Sequence, residues 1–163
     1  MSRAVLISVR PKWVEKIARG EKTIEVRKTR PKLDTPFRCY IYCTSGCLSY
    51  KCPNGMVCHC NGGRKIIGEF TCERISLIAY DGGELSSTTN AAFSPATCLF
   101  QEEIIAYIGD KGRCYGWHIS DLRIYNAPRE LSEFTGLRDT RFGAAPYDIK
   151  RAPQSWCYVE EVP

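Results

Sequence analysis

Along the first part of the chain the apolar positions change period twice, and each change marks an element. Ala4 to Val9 is a nearly unbroken apolar run, the pattern of a strand buried on both faces. From Pro11 the period lengthens: Trp13, Val14, Ile17 and Ala18 fall on one face of a helix that Pro11 opens at its favoured first position and Gly20 closes. From Thr23 to Lys28 the period shortens to two, so that Glu25 and Arg27 share one face of a strand and Ile24 and Val26 the other. A basic link with Lys28, Arg30, Pro31 and Lys32 leads to a third strand, Phe37 to Thr44, which sets Cys39, Ile41 and Cys43 against Tyr40, Tyr42 and Thr44.

Beyond it, residues 45–64 are rich in turn residues and read as an insertion. Lys65 to Tyr80 predicts one long strand or two consecutive ones, interrupted near Arg74, and 81–95 predicts a loop. A second helix spans about Leu99 to Ile108, with Ser94 or Thr97 near its start and Gly109 at its end. Cys114 to Tyr125 is the next strand, followed by a turn with a short helical piece over 126–134, an irregular loop over 136–150 and a last strand over about 155–162. Several strands with two main helices and no regular alternation predict an α+β fold, a mainly antiparallel sheet or small barrel with helices packed on it.

The length of 163 residues suits one domain, 1–163, with the insertion at about 45–64 carried on it. Hydrophobic residues at 44% and charged residues at 25% describe a globular chain, and no run approaches the roughly 20 apolar residues that span a bilayer, so no membrane partner is expected. The N-terminal apolar run is too short for a signal peptide, which places the chain in the cytoplasm. A formal net charge of +5 favours an anionic partner.

Ten cysteines are unusual for a chain in a reducing compartment, and six of them fall within the 22 residues from Cys39 to Cys60. Cys47, Cys52, Cys58 and Cys60 offer four thiolates for a structural zinc, with His59 and Cys43 as alternative ligands. The turns Pro53-Asn54-Gly55 and Asn61-Gly62-Gly63 would bring them together, although neither ligand pair has the two-residue spacing of zinc knuckles; free thiols are the competing reading. No other cofactor is required. Cys72, Cys98, Cys114 and Cys157 lie in apolar contexts and read as small buried hydrophobes.

The octapeptide Gly20-Glu-Lys-Thr-Ile-Glu-Val-Arg27 concentrates Lys22, Glu25 and Arg27 where the helix hands over to the strand. One reading is a solvated ion-pair set worth about 0–1 kcal/mol per pair. The other is a binding site in which Lys22 and Arg27 attract a phosphate or carbonyl oxygen while Glu25 accepts from an exocyclic amine. On that second reading, alanine at Lys22 or Glu25 should abolish binding and leave the melting temperature nearly unchanged. Trp117, His118, Trp156 and Tyr40 are the aromatic side chains available for stacking on a base, core packing being the alternative for each.

The run Ile7-Ser8-Val9-Arg10-Pro11, then Trp13-Val14, then Gly20-x-Lys22-x-x-Glu25-x-Arg27, resembles the ASCH domain, a branch of the PUA-like superfamily, and the match to the family's Gly-x-Lys-x-x-Glu-x-Arg signature is complete. Gly68-Glu69-Phe70, Tyr115 to Ile119 and Pro153 to Trp156 resemble further segments, the last two as found in phage and bacterial members. The resemblance implies a PUA-like barrel whose cavity lies between the first helix and the sheet. It implies binding of RNA or a nucleoside or nucleotide, including modified ones; the alternatives are an amidohydrolase acting on an acylated nucleoside such as acetylcytidine, or a ribonuclease. The ligand-binding set is then Ser8, Arg10, Lys22, Glu25, Arg27, Trp117, Gln154 and Ser155, and an enzyme would use Lys22 and Glu25 as its catalytic groups. Where the amidohydrolase branch carries a threonine nucleophile, this chain has Glu25, and Glu102 or Glu103 would have to supply the second carboxylate. Lys28, Arg30, Lys32, Arg138 and Arg141 would surround the pocket with positive charge.

Overall fold

Strand β1 (Arg3–Val9) sits in the interior of the sheet because its residues are apolar on both faces: Val5, Ile7 and Val9 enter one core, Ala4 and Leu6 another. The computed structural model describes residues 2–45, 48–51, 57–60, 63–88 and 93–163. Helix α1 (Pro11–Ala18) follows and packs Val14 and Ile17 onto the first of those cores; the chain turns at Gly20, whose φ of +75° suits glycine, and enters β2 (Ile24–Arg27). Strand β3 (Phe37–Cys43) pairs in parallel with β1 and divides its side chains as its alternation predicts, Cys39, Ile41 and Cys43 to one core and Tyr40 and Tyr42 to the other.

Two long strands, β6 (Ile66–Asp81) and β8 (Arg113–Arg129), pair antiparallel and carry three register shifts, one of them between Cys72 and Ile75 where the sequence predicts an interruption. Strand β11 (Trp156–Glu160) runs antiparallel to β1 on its other side. Helix α3 (Gln101–Ile108) ends at Gly109 and buries Ile104 and Ile108 against Val26, Ile78 and Cys114.

Three stretches expected to be irregular contain regular elements among the described residues. The insertion contains a two-stranded ladder of β4 (Leu48–Lys51) and β5 (Val57–Cys60), antiparallel to each other. The stretch 81–95 folds β7 (Glu84–Ser87) back on β6 through a turn at Gly82 and Gly83, and ends in the short helix α2 (Phe93–Ala96). The stretch 136–150 is the hairpin β9 (Thr135–Thr140) and β10 (Gly143–Asp148), which is joined to β11 by β9. Strand β8 also runs past Pro128, where a stop is expected, because only Arg129 pairs with β6 there and Pro128 itself owes no ladder bond.

The main sheet is mixed and runs β10-β9-β11-β1-β3-β6-β8-β2, with β7 beside β6. The expected small barrel is therefore an open sheet among the described residues: no strand pairing joins β2 to β10. The ends of β2 and β1 nevertheless meet, because the Arg27 guanidinium spans from β2 to the Ser8 carbonyl on β1 at 2.6 Å. Among the described residues, no helix is long and apolar enough to cross a membrane.

Candidate functional site

The handover from α1 to β2 decides how the signature side chains are presented. The Lys22 amide donates to the Lys16 carbonyl and closes the helix; the Thr23 amide donates to Ala96 and its carbonyl accepts from Ile119, which fixes the strand start. Pairing of β2 with β8 then gives the two-residue alternation that puts Glu25 and Arg27 on one side. The three charges are not a solvated set. Lys22 is 2% exposed, Glu25 5% and Arg27 9%, so the surface ion-pair reading is corrected by their burial.

Arg27 is fully committed within the protein. Its Nη2 and Nε lie 3.0 and 3.1 Å from Glu25 Oε1, Nη2 also donates to the Ser8 carbonyl, and Nη1 is 3.3 Å from both the carbonyl and the Oγ of Ser155. Ser8 Oγ donates to the Pro153 carbonyl at 2.6 Å, which ties the 153–155 segment to β1. Arg27 thus organises the site, its donors engaged by Glu25, Ser8 and Ser155.

Lys22 Nζ donates to the Thr97 carbonyl at 2.5 Å, lies 3.6 Å from Glu25 Oε2 and stands 4.9 Å from the centre of the Trp13 ring. Burial lowers its pKa from the ordinary lysine value, and the Glu25 carboxylate opposes that shift without reversing it. Glu25 Oε2 is buried without a hydrogen-bond partner, and so is Nε1 of Trp117, the residue paired with Glu25 across β2 and β8.

These residues line a cleft of about 810 Å³ between α1, α3 and the sheet. Of the residues nominated from the sequence, Ser8, Arg10, Lys22, Glu25, Arg27, Gln154 and Ser155 all border it. Trp117 does not. It shares a sheet face with Glu25, its partner across β2 and β8, but is fully buried in the first core, edge-on to Phe37 at 5.9 Å and tilted against Trp156 at 6.0 Å. Tyr40 and His118 are likewise buried away from the cleft: Tyr40 bonds to Val162, and His118 contacts Ser76 Oγ through Nε2 and accepts from Arg74 Nε at Nδ1. Trp156 is half-buried at the rim, donating from Nε1 to Thr29 Oγ1 at 3.0 Å.

Of the opposite wall, sequence reasoning named Glu103 alone. Leu99, Glu103, Tyr107 and Lys111 border the cleft at four-residue intervals, a spacing that would have marked one face of the second helix. Glu103 is exposed and caps α3 by accepting from the Phe100 amide at 2.8 Å, and Lys28 stands 5.2 Å from the centre of the Tyr107 ring. Thr23, next to Lys22, is exposed and is not among the cleft residues.

The zinc expectation finds no support among the described residues, where no group of three or more His, Cys, Asp or Glu is placed to hold a metal. Cys58 and Cys60 lie on β5, and Cys47 and Cys52 lie outside the described residues.

No protein-family model and no curated protein matches the chain. Solved structures do. The crystal structure of ASCH from Zymomonas mobilis superposes with a TM-score of 0.63 at 19% identity, covering 97% of this chain and 88% of that one. The chain has the ASCH fold. Structures of two mutant forms of the same Zymomonas mobilis protein give TM-scores of 0.59 and 0.57 at 19% and 16% identity, each covering 97% of this chain. The octapeptide from which the ASCH resemblance was drawn thus lies in a chain whose backbone follows that fold over nearly its full length, at an identity where the fold alone carries across.

Proposed function

We propose that this chain is an ASCH-family domain that binds RNA, or a nucleotide of it, with a nucleobase held in the cleft. The observation that carries the reading is Glu25, which borders a cleft large enough for a base and sugar and whose Oε2 is buried without a hydrogen-bond partner, with only the Lys22 ammonium near it at 3.6 Å. A buried oxygen with no hydrogen bond costs about 1–3 kcal/mol, which the Lys22 ion pair offsets in part, and an N–H donor from a ligand recovers the rest. A base bearing an exocyclic amino group, cytosine above all, supplies this donor to a carboxylate. Because Arg27 is committed to Glu25, Ser8 and Ser155, the phosphate falls to Arg10, Lys28 and Lys111 at the rim.

The test is calorimetric titration of the protein and of Glu25→Gln with cytidine monophosphate and uridine monophosphate. Glu25→Gln should retain the native circular dichroism spectrum, weaken cytidine monophosphate binding about tenfold or more, the scale of one charge-assisted hydrogen bond, and change uridine monophosphate binding little. Equal affinity of both forms for both ligands would sink the reading.

One observation favours a second reading as a hydrolase of an acylated nucleoside or of RNA. Lys22 is buried, its pKa is lowered, and it stands beside a carboxylate, an arrangement suited to proton transfer. Incubation with acetylcytidine and with short RNA, followed by chromatography, checks this: deacetylation or cleavage lost in Lys22→Met supports an enzyme, and intact substrates support binding alone.

A further inference from the structure

The cleft is not the end of the basic and aromatic surface. Strand β1 ends at the cleft with Ser8; β11 runs antiparallel to it and begins there; β9 runs antiparallel to β11 and so returns to the same end of the sheet. The turn after Thr140 therefore projects from the cleft end. That turn carries Arg141 and Phe142, the ring 86% exposed and the guanidinium 4.7 Å from its centre. It is a built turn: Thr140 Oγ1 donates to the Gly143 carbonyl at 2.7 Å and accepts from the Phe142 amide at 3.2 Å, and Gly143 takes a φ of +107°.

Between cleft and turn runs a series of side-chain contacts. Thr29 borders the cleft and accepts from Trp156; the Lys32 amide donates to the Tyr158 hydroxyl at 2.8 Å; Arg3 covers the Tyr158 ring at 5.0 Å and pairs with Asp139, one residue before Thr140. Arg3 thereby offsets the charge of Asp139 and holds its carboxyl below the usual carboxylate range. Lys28, Arg30 and Lys32 flank the path and are exposed.

We propose that the β9–β10 turn is a second anchor for the same single-stranded RNA, stacking a base on Phe142 while Arg141 and the 28–32 link take phosphates. The proposal rests on the cleft reading, and it makes the ligand a strand of several nucleotides. Charge complementarity and an exposed ring with a cation over it suit a nucleic-acid strand, since every base has a face to stack and every step a phosphate to pair.

The test is fluorescence anisotropy with a labelled single-stranded RNA of about 12 nucleotides, within the range of single-strand site sizes, beside calorimetry with cytidine monophosphate. Phe142→Ala and Arg141→Gln, both on an exposed turn, should each weaken the strand about tenfold, the scale of one stacked base, and leave cytidine monophosphate binding unchanged. Unchanged affinity for the strand in both variants would overturn the anchor and leave the cleft reading standing. Loss of strand binding in the turn variants with none in Glu25→Gln would overturn both the shared path and the cleft. A strand that binds no more tightly than the mononucleotide would also overturn the anchor.

Discussion

Glu25 holds two cations in a setting that excludes most water, so its alanine variant strands both Lys22 and Arg27 without their counter-ion. Removing one partner of a buried ion pair costs about 3–5 kcal/mol, and Glu25→Ala should lower the melting temperature markedly, in contrast to the near-silent substitution expected from the sequence. Thermal unfolding followed by circular dichroism measures it, and a change under a degree would show that the network contributes little. At the same scale, burial and Arg74 lower the His118 pKa below the ordinary histidine value. The sign follows from linkage: the unfolded chain takes up the proton first as pH falls through about 6.5, so His118 subtracts stability below that pH, down to its own lower pKa. An NMR titration should place His118 below the free-histidine midpoint. Burial also pushes the Cys72 and Cys114 thiols up to about 12 and about 11, so iodoacetamide at pH 8 should leave both unmodified in the native protein, as mass spectrometry of the digested chain would read out. The types and spacing of Lys22, Glu25 and Arg27 were legible in the sequence. Their commitments were not, because the Thr97 carbonyl that holds Lys22 and the Ser155 group that holds Arg27 arrive from 75 and 128 residues away.

Elements with a sustained period were legible from the chain, and elements pinned by partners were not. Strands β1, β2, β3 and β11 and helices α1 and α3 follow apolar periodicity and end near expected residues. The hairpin β9–β10 has weak alternation, with burial falling off after Leu137, and it forms because β11 offers β9 an edge at Tyr158 and Val159. Its close packing rests on Gly136: a methyl group there would meet the Tyr147 ring at 2.3 Å. Gly68 is tighter still in consequence, since a methyl group would meet the Arg123 carbonyl at 2.5 Å, and backbone does not swing aside. Gly68→Ala should therefore destabilise by about 1–3 kcal/mol or more, the cost of overpacking, with denaturant unfolding as the measure. A stability loss no larger than at the unobstructed Gly82, where the strain is that of a positive φ alone, would contradict this.

At the scale of the molecule, the sheet is open in its strand pairing, and its edge strand β2 is tied to the interior strand β1 by a side chain of the site itself. The same Arg27 that orients Glu25 links β2 to β1 and to the segment leading into β11, so the cleft and this tie between strands share one residue. Lys22, Glu25 and Arg27 of the octapeptide border the cleft. Binding of a strand across cleft and rim should weaken with salt, and removing one phosphate-contacting lysine, as in Lys28→Gln, should reduce the slope of log affinity against log salt by about 0.7. The central claim is that Glu25 Oε2 awaits a base amine. A crystal structure of the protein with a short cytidine-containing RNA tests it most directly: the account predicts the cytosine amino nitrogen within about 3.2 Å of Glu25 Oε2, and a bound nucleotide lying elsewhere, with that oxygen still unpaired, would contradict it.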